Sequence, residues 1–224
     1  MNYFNKKAIF NTLAEGLFIL LISTGCSSHK KKNNVQYVDP KIGGVGLILE
    51  PTRPTVQLPN QMIRMYPNRK DYLDDQITYF PLTLISHRSG QLFGIMPFTG
   101  ELINNKPPKS AWDQQLEVST PYYYSVWLED YDINLEYAPC AKSGYFRITF
   151  PSGDSRHMSL NIINEGNWKI SSGNVLTGEE DFNGMKAYVF GESNQAMIFV
   201  QDTSIVNKRE GGIITWPENS DNII

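Results

Sequence analysis

Short apolar runs that recur along the chain are the feature that most constrains its fold. From Val56 onward, runs of four to eight residues alternate with Gly, Pro, Asn and Asp. Two runs, 61–66 and 79–86, flank a polar loop and are predicted as strands; the clearest of the other runs are 91–96, 122–128, 134–138, 145–150, 158–163, 186–190, 196–200 and 213–216. A spacing of roughly 8 to 12 residues is typical of a β-sandwich or barrel. Since no window beyond the first 25 residues keeps an apolar stripe at helical spacing, we predict a nearly all-β chain.

Two hairpins are predicted within this pattern. The first joins strands at 122–128 and 133–137 through an acidic turn. The second joins strands at 145–150 and 158–162 through a Pro-Ser-Gly-Asp turn. Along 145–150, odd-numbered side chains share one face and even-numbered side chains share the other, which we assign to the core. The odd-numbered residues are Tyr145, Arg147 and Thr149, and the even-numbered ones are Phe146, Ile148 and Phe150.

The N-terminus has the pattern of a bacterial lipoprotein signal. Two lysines, Lys6 and Lys7, precede a mostly apolar run over 8–22, and small residues then lead directly to Cys26. We predict a signal peptide over 1–25, lipid on the Cys26 thiol and a polar tether over 26–36, with an ordinary secretory signal as the alternative. The uninterrupted apolar part is much shorter than the ~20 residues that a membrane span needs. This predicts a lipid-anchored protein of a bacterial membrane, periplasmic or at the cell surface.

Charge and motif content exclude several classes of function. Twenty Lys and Arg residues against 23 Asp and Glu provide no basic field, so we predict no nucleic-acid partner. The sequence contains no HExxH, CxxC or EF-hand pattern, and its three histidines are far apart. Its acidic clusters at 71–75, 129–132 and 179–181 fall in turn or loop contexts where carboxylates are common. We therefore assign no catalytic residue and no metal ligand to this chain.

Several segments together resemble a known family. These are Tyr37-Val38-Asp39-Pro40-Lys41-Ile42-Gly43, the Pro-rich segment 51–60, Pro121-Tyr122-Tyr123-Tyr124-Ser125-Val126 and, more faintly, 185–191. In order and spacing they are similar to the N-terminal domain of glycoside hydrolase family 92, the calcium-dependent exo-α-mannosidases of gut Bacteroidetes. The loop 43–46 is shorter than the common family pattern and lacks histidine. The resemblance implies a two-sheet antiparallel β-sandwich, supersandwich-like, over 37–224 and incomplete at its C-terminal end.

The resemblance also implies that the catalytic groups lie in a separate domain. In the family, the acid, the base and most calcium ligands lie in a helical catalytic domain C-terminal to this one, which is missing from this chain. The full-length enzyme is expected to hydrolyse α-mannosidic bonds in glycans with inversion and to use Ca²⁺, whereas this chain alone is expected to be inactive and to bind no cofactor. Two alternatives remain: a stand-alone carbohydrate-binding lipoprotein with several aromatic residues exposed on one face, and a non-functional gene fragment.

Sugar contacts are the chemistry that the sequence still offers. A pyranose ring stacks on aromatic side chains, and its hydroxyls bind polar ones. The first candidates are Trp112 and Asp113, in a region that the resemblance places at the mouth of the cleft, with packing at the rim as the alternative for Trp112. His87 and Arg88, at a strand end, are candidates too, or form a cross-strand polar pair. The last group lies on or beside the Pro-rich segment 51–60, which we expect to run extended along a rim of the domain. Its members either contact sugar or hold this segment in place through backbone hydrogen bonds: Arg53, Gln57, Asn60 and Gln61.

Overall fold

The fold is described by a computed structural model that covers nine parts of the chain: residues 33–41, 56, 58–59, 61–69, 75–86, 90–101, 107–201, 209–217 and 223. The chain divides into two units, residues 1–35 and 36–224, and the second holds every strand described below. Cys26 and the predicted signal peptide lie outside the described residues, so both remain predictions. No helix in these ranges has the length and apolar character that crossing a membrane requires.

Fifteen strands make up the described part of the second unit. They are β1 (Gln76–Ile77), β2 (Phe80–Ser86), β3 (Gly90–Phe98), β4 (Ser110–Ala111), β5 (Val118–Thr120), β6 (Tyr123–Leu128), β7 (Ile133–Pro139), β8 (Gly144–Thr149), β9 (Arg156–Asn161), β10 (Glu165–Ser172), β11 (Val175–Phe182), β12 (Met185–Glu192), β13 (Ile198–Gln201), β14 (Arg209–Glu210) and β15 (Gly212–Trp216). Short 3-10 helices cover Asn34–Tyr37 and Glu129–Tyr131. No α-helix occurs among the described residues.

The strands form three larger sheets and one two-stranded pair. The five-stranded sheet has the order β13-β15-β9-β3-β2, and the four-stranded sheets have the orders β5-β6-β7-β8 and β12-β11-β10-β14. Strands β1 and β4 form the pair. All pairings between these strands are antiparallel except the short parallel contact of β10 with β14. The all-β prediction is confirmed, and the strands are distributed over more sheets than two.

Side chains from all three larger sheets meet in one apolar core. In the β5-β6-β7-β8 sheet, buried and more exposed residues alternate along β6 and β7. The inward residues include Tyr124, Leu135 and Ile148. They pack in the same cluster as Phe80 of β2 and Trp168 of β10. Because alternate residues of a strand point to opposite faces, the other set of side chains in this sheet faces away from the core.

The first predicted hairpin is confirmed, and the second is wrong. Strands β6 and β7 pair directly, with Val126 opposite Leu135. Strand β8 instead pairs with β7, whereas β9 pairs with β3 and β15 in another sheet. The turn at 151–154 therefore carries the chain between sheets, as a sandwich requires wherever consecutive strands belong to different layers. The predicted division of faces along β8 is nevertheless correct, because Ile148 is buried while Tyr145 and Arg147 are exposed.

A strand predicted at 61–66 is also absent as a regular ladder. Met65 forms only an isolated bridge with Val56, and Arg64 N donates to Leu82 O at 3.0 Å. The segment therefore lies along β2 through single contacts. The strand predicted at 79–86 is present as β2, with Tyr79 in an isolated bridge to Asn68 just before it.

Candidate functional site

Strand β4 places Trp112 at one edge of the core. Ala111 pairs with Gln76 of β1, and its N–H donates to Asp130 Oδ2 at 3.1 Å. Ser110 Oγ accepts a bond from Asp130 N at 3.1 Å, and Trp112 N donates to Asp75 O at 3.2 Å. The backbone that enters Trp112 is therefore held from two sides, by β1 and by the Glu129–Tyr131 turn.

The indole of Trp112 is nearly buried, and its N–H group lacks a hydrogen-bond acceptor among the described residues. The residue is 9% exposed and belongs to the core cluster. The guanidinium carbon of Arg69 lies 4.9 Å from the ring centroid, which is the geometry of a cation–π contact. The Nε1–H group has no hydrogen-bond acceptor among the described residues. Buried indole N–H groups usually have a partner, so this buried donor is an exception.

Polar groups follow Trp112 directly in a short turn. Asp113 Oδ1 accepts a bond from Gln115 N at 2.7 Å, and Leu116 N donates to Asp113 O at 3.1 Å. These bonds close a turn that exposes the side chains of Gln114 and Gln115. The segment 112–115 therefore presents one carboxylate and two exposed amides directly after the buried ring of Trp112.

A buried carboxylate ends the same segment, and the sequence analysis missed it. Glu117 Oε1 accepts a bond from Tyr124 Oη at 2.8 Å, and Lys41 Nζ lies 3.8 Å from Glu117 Oε2. Burial raises the pKa of Glu117, opposed by the bond from Tyr124 and by the charges of Lys41 and Arg69. Burial also raises the pKa of Tyr124 well above its usual value. No motif marks this group, because Lys41 and Arg69 come from parts of the chain distant from the β5-β6 hairpin that holds Glu117 and Tyr124.

Gln61 lies in different surroundings from Trp112. It is 4% exposed, and its Oε1 accepts a bond from Leu58 N at 3.0 Å. Its Nε2 donates to Ser143 O at 2.5 Å and to Tyr137 Oη at 3.4 Å. These bonds fit the alternative in which Gln61 pins the Pro-rich segment to the sheet. A sugar contact by Gln61 stays a prediction.

The remaining candidates fall outside the described residues, so their sugar contacts stay predictions: Arg53, Gln57, Asn60, His87 and Arg88. Within the described ranges, no three His, Cys, Asp or Glu side chains come together as a cation site. Ca²⁺ in the full-length enzyme stays an expectation from the family resemblance.

Comparison with known proteins gives a family and a fold. Residues 37–221 match the family model described as the glycosyl hydrolase family 92 N-terminal domain. No curated protein sequence matches the chain. A family GH92 inverting mannosidase from Bacteroides thetaiotaomicron superposes with a TM-score of 0.74 at 19% identity, over 88% of this chain and 31% of that one.

Two further solved structures share the fold. A family GH92 alpha-mannosidase from the same organism has a TM-score of 0.71 at 21% identity, over 84% of this chain and 32% of that one. The family GH92 glycosyl hydrolase ccman5 has a TM-score of 0.66 at 17% identity, over 85% and 32% of the two chains. At such identities the likeness establishes the fold, and the chain spans about a third of the length of these proteins.

Proposed function

The chain belongs to the family of glycosyl hydrolase family 92 N-terminal domains, and on this basis we propose that it is the N-terminal module of an α-mannosidase. In this proposal the module provides part of the wall of the sugar-binding cleft and an interface to a helical catalytic domain. Hydrolysis of α-mannosidic bonds belongs to the whole enzyme. The observation that carries the proposal is the match of a single family model to residues 37–221.

We propose that the segment 112–115 forms the part of the wall that contacts sugar. Its exposed amides and the Asp113 carboxylate suit sugar hydroxyls, which both donate and accept hydrogen bonds. The Nε1–H of Trp112 has no acceptor among the described residues and is itself buried, so in this proposal the neighbouring side chains move aside when a sugar oxygen binds it. Arg69, stacked on the indole, and the bond of Trp112 N to Asp75 O hold the ring in place.

We propose that the outer faces of β12 and β13 form the interface to the catalytic domain. Tyr188 and Phe190 on β12 are 69% and 68% exposed, and Ile198 and Val200 on β13 are exposed as well. Each of these strands is at the edge of its sheet. Large apolar side chains that share an exposed face mark a surface that another protein surface covers.

Lipid anchoring through Cys26, facing the periplasm or the cell surface, completes the proposal. It is supported by the apolar run over 8–22 and the small residues directly before Cys26. Glycans outside the inner membrane would then be within reach of the enzyme.

The cleft assignment can be tested in the native product isolated from cells that express the gene. Trp112→Phe keeps a ring for packing and removes the Nε1–H, and Asp113→Asn keeps an acceptor for Gln115 N. We expect each change to lower kcat/KM for α-mannobiose by about tenfold, equivalent to ~1.4 kcal/mol of transition-state stabilisation. Trp168→Phe is the matched control, because this indole is buried in another sheet and its Nε1 donates to Asn161 O. Equal kcat/KM in all three variants would remove the segment 112–115 from the sugar site.

A further inference from the structure

The outer face of the β5-β6-β7-β8 sheet carries aromatic side chains that the core does not use. Trp127 on β6 is 38% exposed and Tyr145 on β8 is 52% exposed, while Tyr123 on β6 is partly exposed. All three alternate with buried residues, namely Tyr124, Val126, Leu128 and Ile148. They therefore point away from the core by strand geometry.

The three rings are spaced more widely than one sugar ring. Tyr123 and Trp127 are four residues apart on one strand, a separation of about 13 Å at the rise of an extended chain. Tyr123 and Tyr145 lie two strands apart, a separation of about 10 Å at the usual spacing of strands. A ligand that touches all three rings must be an extended molecule with several rings of its own.

Polar groups fill the space between these aromatic rings. Ser125, Glu136 and Arg147 form a row across three strands, and Trp127, Asn134 and Thr149 form the next row. In the first row the Glu136 carboxylate accepts bonds from Arg147 Nε at 2.5 Å and Nη2 at 2.6 Å.

The same carboxylate accepts a bond from Tyr123 Oη at 2.6 Å, so one charge pair fixes both the guanidinium and one ring. The opposite charges of Glu136 and Arg147 cancel at the centre of the face, which suits a neutral ligand. Arg147, with a side chain about half exposed, keeps further N–H groups for such a ligand.

The spacing of its rings distinguishes this face from the outer face of β12, where Tyr188 and Phe190 are only two residues apart, between the charged residues Lys186 and Glu192. Val118 of β5 lies beside Ser125 in the first row, and the other positions of the two rows carry one ring and hydroxyl, amide and charged groups. A protein partner gains most from contiguous apolar area at the centre of an interface. Separate aromatic platforms joined by hydrogen-bonding groups instead match a chain of pyranose rings.

We propose that Tyr123, Trp127 and Tyr145 form a second glycan-binding surface of this protein, the platform face, which takes a neutral oligosaccharide or polysaccharide of the mannose-containing type. The ligand class rests on the proposed function, whereas the location rests on the sheet geometry. The platform face lies on the side of the sheet turned away from the core, in which Trp112 is packed. It holds a polymeric substrate on the enzyme without taking part in bond cleavage.

Affinity electrophoresis of the purified protein in native gels that contain soluble α-mannan tests this proposal. We expect the mannan to retard the protein, and Trp127→Ala and Tyr145→Ala each to weaken binding at least tenfold. Both side chains are on the surface, so the variants should unfold at the same temperature as the parent. Tyr37→Ala is the matched control, because it removes an exposed ring outside this sheet and should leave retardation unchanged.

Three results would overturn the proposal. One is the absence of retardation of the parent protein, and another is equal retardation of the parent and both platform variants. The third is loss of retardation in Trp112→Phe with full retardation in Trp127→Ala, which would place mannan binding at the cleft segment alone. If another protein surface covered the platform face, the native product would show no retardation in the same gel, which is the first of these results.

The assay also separates this inference from the proposed function. Mannosidase activity in the native product without mannan retardation would remove the platform face and leave the enzyme assignment intact. Retardation that depends on Trp127 and Tyr145, in a product with no mannosidase activity, would keep the platform face and remove the enzyme assignment.

Discussion

At the scale of single residues, the carboxylate of Glu180 joins two sheets. Glu180 is on β11, and its Oε2 accepts a bond from Phe93 N of β3 at 2.7 Å. Its Oε1 accepts bonds from Ile163 N at 3.0 Å, Asn164 N at 2.6 Å and Asn164 Nδ2 at 2.7 Å. Phe93 has a φ of 54°, a rare value for a residue with a side chain, and its bond to Glu180 helps to hold this conformation.

We expect Glu180→Gln to destabilise the fold by about 1–3 kcal/mol, because its amide would turn a donor toward at least one buried N–H group. Urea unfolding measures this change. The matched control is Glu179→Gln, one residue earlier on the exposed face, where among the described residues the carboxylate pairs with the exposed Lys186 at 2.9 Å. That control should leave the urea midpoint unchanged. Equal midpoints for Glu180→Gln and the parent would contradict the role given to Glu180.

The buried Glu117 predicts a pH dependence of stability. Burial raises its pKa above the ordinary value of 4.5, so the folded state binds this proton more tightly than the unfolded state does. Its contribution is therefore fully present below about pH 4.5 and is lost as pH rises through the raised pKa. We expect Glu117→Gln to gain stability relative to the parent as the pH rises from about 4 to 8, measured by urea unfolding at each pH.

The opposite sign is expected at Glu136, which provides the control. The bond from Arg147 lowers the pKa of Glu136, so its contribution is present at neutral pH and is lost as the pH falls through the lowered pKa. Glu136→Gln should therefore lose stability relative to the parent as the pH rises. If the stabilities of Glu117→Gln and Glu136→Gln, each relative to the parent, changed with pH in the same direction, the burial of Glu117 or the pairing of Glu136 with Arg147 would be contradicted.

At the scale of elements, the β10-β11 pair shows where the sequence pattern was uninformative. The inward positions of β11 are Leu176, Gly178 and Glu180, so no apolar alternation marks this strand. A ring fills the space that Gly178 leaves: Trp168 lies opposite it in the register and packs edge-on against Phe93, with ring centroids 5.2 Å apart. One local signal could have located the next hairpin, since Asn-Gly at 183–184 adopts positive φ at both residues.

Substitution of Gly178 tests the packing of Trp168 against β11. A Cβ there would lie 2.9 Å from Trp168 Cε3 and from Val189 Cγ1, closer than carbon atoms pack. We expect Gly178→Ala to cost about 1–3 kcal/mol through overpacking, measured by thermal unfolding. Gly173→Ala is the matched control, because its Cβ would meet only Ala196 Cβ at 3.8 Å. Equal melting temperatures for the two variants would show that Trp168 does not fill the space above Gly178.

The sequence predicted β6, β7 and β8 well because their inward residues are large and apolar at every second position. It failed at the turn 151–154, since the same residues favour a hairpin turn and a crossover between sheets. For the candidate site, local sequence marked Trp112 and Asp113, which are adjacent in the chain. It could not mark Glu117 as part of a charged group, because only tertiary packing brings Lys41 and Arg69 near the β5-β6 hairpin in which Glu117 bonds to Tyr124.

At the scale of the whole molecule, we expect the outer face of β12 and the platform face to affect self-association differently. The rings of Tyr188 and Phe190 are two residues apart on one strand, whereas Trp127 and Tyr145 are separate rings on different strands. We expect Tyr188→Ser with Phe190→Ser to reduce self-association of the purified chain, measured by sedimentation velocity. Trp127→Ser with Tyr145→Ser should leave it unchanged. Reduced self-association in the second pair alone would exchange the roles assigned to the two faces.

The most direct test of the central claim is mannose release from α-mannobiose by the native product, captured with an antibody to residues 100–150. The claim that this chain is the N-terminal module of an α-mannosidase predicts that the captured product releases mannose, while the purified 224-residue chain releases none. A folded native product that releases no mannose would contradict it, and so would hydrolysis by the 224-residue chain alone.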